Sequence, residues 1–119
     1  RVVYTAMADL LMRWSTDLYA KNGYSEIAAV VGATQPAAIK TLREKYDRLF
    51  LLVIGYGAQG GLARNIQYAF DKFGHGAVAV VGSSVTAAWK QEEGADELEA
   101  ALASANRMKK NLNRYITIL

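Results

Sequence analysis

Cysteine is missing from this sequence, and histidine and proline occur once each, as His75 and Pro36. Without cysteine there are no disulfides and no thiolate metal sites, which suits a reducing compartment, so a cytoplasmic location is expected. His75 has no second histidine with which to build a metal site, and no metal is expected. No apolar run approaches the roughly 18 residues of a membrane span, so no membrane partner is expected. The N-terminus lacks the apolar segment of a secretion signal, and none is expected. Charge imbalance is small as well. A net charge of +3 mildly favours an anionic ligand and does not by itself point to nucleic acid.

What is present is a chain of 119 residues that is 52% apolar. That composition excludes disorder and is enough for one domain, residues 1–119, with a core, though small for most enzymes. The chain begins at Arg1 in the middle of a helical pattern. We read this as the C-terminal piece of something longer, or as a processed or truncated chain.

Val3, Met7, Leu10 and Trp14 recur at helical spacing, predicting an amphipathic helix over residues 2–20 that is ended by Gly23. Three strand–helix units follow, over residues 27–46, 49–73 and 77–118. Each opens on a short apolar run: Ile27 to Val31, Leu49 to Ile54, and Ala77 to Val81. Pro36 suits the first turn of a helix whose inward stripe is Ile39, Leu42 and Tyr46. Leu62, Ile66, Ala69, Phe70 and Phe73 form the stripe of the second, and a short helix through Trp89 precedes a long one marked by Leu98, Leu102, Ala105, Met108, Leu112 and Ile116. Trp14 and Trp89 fall on inward stripes and are expected in the core. Buried strands alternating with helices predict an α/β fold with three parallel strands and right-handed crossovers. Three strands close no barrel and leave two open edges.

The stretch Gly55-Tyr56-Gly57-Ala58-Gln59-Gly60-Gly61 lies between the second apolar run and a helical stripe. Glycines there let the backbone approach an anion, and the N–H groups at a helix start point toward it. The spacing Gly55-x-Gly57-x-x-Gly60 also fits a dinucleotide fingerprint, but the acidic residue expected roughly 20 positions on is missing. A tight turn with no ligand is the plainer alternative. Ser83 and Ser84 have no partner base and are better read as capping a helix than as nucleophiles. His75 lies between two glycines at the opposite end of a strand from such ligand loops, which suits a surface turn. Arg107, Lys109, Lys110 and Arg114 read as a solvated face near a helix C-terminus. No aromatic residues interleave with them, so no nucleic-acid partner is expected.

Several stretches together resemble orotidine 5′-monophosphate decarboxylases, most closely the longer bacterial type. They are Ala29-Val30-Val31-Gly32-Ala33-Thr34-Gln35-Pro36, Leu42-Arg43, the Gly55 to Gly61 turn, Gly76-Ala77-Val78 and Val81-Gly82-Ser83-Ser84. The resemblance covers nearly the whole chain. It implies the C-terminal half of a (β/α)₈ barrel, comprising the helix after strand five and then strands six, seven and eight. It also implies a part in converting orotidine 5′-phosphate to uridine monophosphate and carbon dioxide, with no cofactor. In that family the loops after strands seven and eight hold the substrate phosphate. By resemblance, the residues that hold a nucleotide monophosphate or phosphate here are Gln59, Gly57, Gly60, Gly82 and Ser83. Ser83 stands where the family has arginine, and Ile54 where it usually has proline. The family's catalytic lysine–aspartate pattern, Asp-x-Lys-x-x-Asp, does not occur, and Asp71-Lys72 does not replace it. No residue of this chain is therefore assigned as catalytic, and the chain alone is expected to be inactive. The partner implied is a complementary half-barrel or another copy of the chain. The alternative is a non-catalytic phosphate-binding or assembly half-barrel.

Overall fold

The three apolar runs are strands, as their composition predicts. In the computed structural model, which describes residues 3–57, 62–91 and 93–116, they are β1 (Ala28–Gly32), β2 (Phe50–Ile54) and β3 (Ala77–Ala79). They form a parallel sheet in the order β1-β2-β3. The helices are α1 (Val3–Trp14), α2 (Pro36–Lys45), α3 (Ala63–Ile66), α4 (Ser83–Thr86) and α5 (Glu97–Asn113).

The register sorts the side chains into two faces, because neighbouring residues of a strand point to opposite sides. Ala29, Leu51 and Ala77 form one row, and Val31, Val53 and Ala79 the next. Leu51 and Val53 are fully buried in a cluster with Ile39, Leu49 and Ile66. The opposite face carries the row Val30, Leu52 and Val78. There Val30 is 64% exposed and Val78 48%, with Ile54 and Val80 exposed beside them. Among the described residues, helices thus cover one face and leave much of the other apolar and exposed. A groove of about 690 Å³, lined by Val3, Met7 and Leu11 of α1 and Val30 of β1, runs along the free edge of β1. The radius of gyration, 15.8 Å, exceeds the about 13.5 Å of a compact domain of this length.

Helix α2 fits its prediction. Pro36 stands in its first turn, and Ile39, Leu42 and Tyr46 are buried. Helix α1 is shorter than predicted and stops at Trp14 rather than near residue 20. Ser15 Oγ bonds the Leu11 carbonyl at 2.8 Å and Ser25 Oγ at 2.5 Å, and Thr16 Oγ1 bonds the Arg13 carbonyl. Hydroxyls that compete for helix carbonyls favour leaving the helix. The chain then doubles back through Gly23, pairing Tyr19 with Ser25. Trp14 is consequently not core but 56% exposed. Trp89 is half-buried in a 3₁₀ turn (Ala88–Gln91).

The helix predicted to reach Phe73 is instead α3 followed by a 3₁₀ turn, Gln67–Ala69. Asp71 ends it. One carboxylate oxygen accepts the backbone N–H groups of Phe73 and His75, and the other accepts the Tyr24 hydroxyl at 2.5 Å. An aspartate that bonds backbone two residues on makes a turn in place of helix. Ile66 and Ala69 are buried, whereas Leu62 and Phe73 are exposed. In α5, Asp96 caps the helix by accepting the Glu99 N–H at 3.0 Å. Its inward line is Ala100, Ser104, Met108 and Leu112, while the predicted Leu98 and Leu102 face solvent at 77% and 61% exposure. Two bonds select that phase: Ser104 Oγ donates to the Ser84 carbonyl, and Tyr56 Oη donates to the Met108 carbonyl.

At the N-terminal ends of the strands, Arg43 joins the units. Its Nε donates to Ala69 O, Nη1 to Leu49 O and Nη2 to Gly76 O, each at 2.8 Å. The guanidinium also lies 5.5 Å from the Tyr24 ring centroid. Gly76 has φ +94, and a Cβ there would lie 2.8 Å from the Tyr24 ring. Burial, the bond to Asp71 and its negative charge push the Tyr24 hydroxyl up to about 12. Burial acts to raise the Asp71 carboxyl, but the bonds from Tyr24, His75 and Phe73 together hold it below its ordinary value.

Two outcomes are expected. Arg43→Met takes a charged donor from three carbonyls, of which Gly76 O keeps the Leu51 N–H, and should lower the unfolding free energy in urea by about 2–4 kcal/mol. Arg43→Lys should recover only part of this, because an ammonium lacks the fork that spans three acceptors. Equal stability of the methionine variant would refute the clamp. The second outcome concerns pH. A tyrosine raised in the folded state stabilises below its unfolded value, and that stability is lost as pH rises from 10.0 toward about 12. Urea midpoints of the wild-type chain should therefore fall more steeply over this window than those of Tyr24→Phe, and parallel curves would contradict the coupling.

Candidate functional site

The C-terminal ends of the strands carry the turns of interest. After β2 the backbone passes through Gly55 at φ +86 and Gly57 at φ +83. These values favour glycine, since a side chain is strained there. Space adds a second constraint at Gly57: a Cβ would stand 2.8 Å from Ser84 Oγ and 2.9 Å from Met108 Cε. Between them, Tyr56 is buried and its hydroxyl reaches the Met108 carbonyl at 3.1 Å. The turn after β2 is thus pressed against both α4 and α5.

After β3, Gly82 precedes α4, and its carbonyl accepts the N–H groups of Val85 and Thr86. Among the described residues a Cβ at Gly82 would meet nothing within 4 Å, so they leave the space beside this backbone open. Ser83 is exposed, and no side chain caps α4, which corrects the expectation that Ser83 or Ser84 does so. Ser84 instead contributes its backbone carbonyl to Ser104.

Gly57, Ser83 and Ser84 line one open groove of about 620 Å³, with Gly82 next to it in sequence. Of the expected site residues, the structure brings Gly57 and Ser83 together. Gln59 and Gly60 lie outside the described residues. The groove also takes in Lys90 and Arg107, which sequence reasoning did not assign to it. Arg107 follows Ser104 by three positions, on the side of α5 anchored to the Ser84 carbonyl. A helical phase fixed on Ala100, Ser104 and Met108 would have pointed to it, but the leucines suggested another phase.

His75 lies in the turn before β3, at the end of the strand opposite Gly57 and Gly82. Asp71 is engaged with Tyr24 and backbone at that same end. Among the described residues there is no group of three or more histidine, cysteine or acidic side chains that could hold a metal, and no helix long and apolar enough to cross a membrane.

No family model matches the sequence. Individual relatives do. The chain is 30% identical over 117 residues to the orotidine 5′-phosphate decarboxylase of Caldicellulosiruptor bescii, covering 98% of this chain and 38% of that protein. It is 32% identical over 115 residues to that of Clostridium perfringens, covering 96% of this chain and 40% of the relative. Among solved structures, Leishmania donovani UMP synthase superposes with a TM-score of 0.70 at 26% identity, over 97% of this chain and 22% of that one. Plasmodium berghei orotidine 5′-monophosphate decarboxylase superposes with a TM-score of 0.68 at 16% identity, over 97% of this chain and 33% of that one. The chain therefore spans about two fifths of the length of these curated relatives, 38% and 40%. Its sequence and its three-stranded α/β fold are similar to part of an orotidine 5′-phosphate decarboxylase.

The packing at Gly57 yields a direct test. Gly57→Ala places a side chain at positive φ and against two side chains, and should destabilise the chain by about 1–3 kcal/mol in urea unfolding. Gly32→Ala, whose added carbon meets only Thr34 Oγ1 at 4.0 Å among the described residues, should stay within about 0.5 kcal/mol of wild type. Equal effects would mean the turn does not bear on α4 and α5 as described.

Proposed function

We propose that this chain contributes the phosphate-binding loops of an orotidine 5′-phosphate decarboxylase and leaves the chemistry to residues it does not contain. The observation that carries this reading is the meeting of the Gly57 turn and the Gly82–Ser83 segment in one groove, at the C-terminal ends of neighbouring parallel strands. Ligands of parallel α/β folds bind at that end, and phosphate in particular at the last loops of barrel enzymes. The names of the curated relatives supply the substrate class, a pyrimidine nucleoside monophosphate.

The role of each group follows from its chemistry. Gly82 leaves its backbone open to an approaching anion. Ser83 offers a neutral hydroxyl, a weaker phosphate ligand than a guanidinium. Gln59 and Gly60 complete the turn in this reading. Decarboxylation needs a group to protonate the carbon that loses carbon dioxide, and the chain lacks the paired lysine and aspartates for it. The exposed Val30 and Val78 and the free edge of β1 would be covered by the remaining part of a barrel, or by another copy of the chain. A non-catalytic phosphate-binding half-barrel is the second reading, favoured by the same missing lysine–aspartate pattern.

The test combines binding with turnover. Calorimetric titration of the chain should detect uridine 5′-monophosphate, and the chain alone should release no carbon dioxide from orotidine 5′-phosphate above a contaminant control. Turnover would overturn the division of labour. Failure to bind the monophosphate would overturn the assignment of the loops. Recovery of turnover on adding a partner that carries the lysine–aspartate pattern would separate the enzymatic reading from the non-catalytic one.

A further inference from the structure

The groove that joins the two turns has a charge its loop residues do not supply. Ser83 and Ser84 are neutral, and Gly57 contributes backbone alone. Lys90 and Arg107 line the same groove, and no carboxylate lines it among the described residues. Arg107 is exposed and makes no hydrogen bond or ion pair among the described residues. The Lys90 ammonium lies 5.6 Å from the Trp89 ring centroid, a contact that leaves its N–H donors available.

The position of Arg107 is set by its helix. Met108, its neighbour, packs where a Gly57 side chain would stand, and Ser104, three positions earlier, bonds the Ser84 carbonyl. The helix is therefore tied to both turns on either side of Arg107. We infer that Arg107, with Lys90, forms the cationic wall of this groove and binds the phosphoryl group of a nucleoside monophosphate, supplying from α5 the positive charge absent at Ser83. A guanidinium can hold two phosphate oxygens at once, and an ammonium adds a point charge. The inference rests on the proposed function for the identity of the nucleotide, but not for the affinity of the groove for phosphate.

The experiment titrates the full chain with uridine 5′-monophosphate, inorganic phosphate and uridine at fixed ionic strength. It is repeated for Arg107→Gln, Lys90→Gln and Arg114→Gln. Arg114 lies on the same helix but does not line this groove, and so controls for net charge. Losing a charged hydrogen-bond donor should weaken monophosphate and phosphate binding by about tenfold or more for Arg107→Gln, and less for Lys90→Gln. Arg114→Gln should change it by less than about twofold, since an exposed charge outside the groove is screened. Uridine binding should be insensitive to all three. Equal weakening by Arg107→Gln and Arg114→Gln would reveal diffuse attraction and overturn the inference. Undiminished monophosphate binding in Arg107→Gln would overturn it while leaving the proposed function standing. Phosphate binding lost in Arg107→Gln, with no monophosphate binding in wild type, would support the cationic wall and overturn the nucleotide reading. Absence of phosphate and monophosphate binding in wild type would overturn the inference.

Discussion

A parallel strand has two sides to bury, and β2 has found cover for one. Leu51 and Val53 are sealed beneath the helices with Ile39, Leu49 and Ile66. Leu52 points the other way and is half-buried, in a row with Val30 and Val78, which are exposed. Antiparallel sheets tolerate a wet face by alternating apolar with polar residues, whereas these strands are apolar on both sides. The described residues thus leave apolar side chains of the Leu52 face, Val30, Ile54, Val78 and Val80, exposed. The Gly57 and Ser83 segments meet at one end of this same sheet.

The strands, their parallel order and α2 were legible because apolar runs and helical spacing report burial directly. Leu51 and Ile39 behave as their spacing requires. The misreadings have local causes. Trp14 lies on an apolar stripe but is the last residue of a helix that Ser15 and Thr16 terminate through hydroxyl bonds invisible to periodicity. Phe73 continues a helical stripe, but Asp71 draws its backbone into a turn. Leu98 and Leu102 are as apolar as the inward Leu112 and yet point outward, because Ser104 and the Met108 carbonyl are committed to partners on the other side. In each case a specific hydrogen bond overrode a pattern of apolar residues.

The site shows the same division. The glycines around Gly57 announce a constrained turn, and only the resemblance implies a phosphate beside Gly57 and Ser83. Arg107 and Lys90 enter the groove from elements remote in sequence, and only the docking of α5 on the turns brings them there. Arg43, quoted only as part of a motif, proves to serve backbone carbonyls at the opposite end of the sheet.

That use of Arg43 bears on how the chain comes apart. Stacked strand–helix units resemble links in a row, and such links can open one at a time when each touches only its neighbours. Here a single guanidinium holds Leu49 before β2, Ala69 after α3 and Gly76 before β3. Fraying at any of these points disturbs the group that secures the other two. Arg43 itself stands on α2, the helix that follows β1, so the same group ties the first strand–helix unit to the two after it, and the three are fastened to open together rather than one at a time.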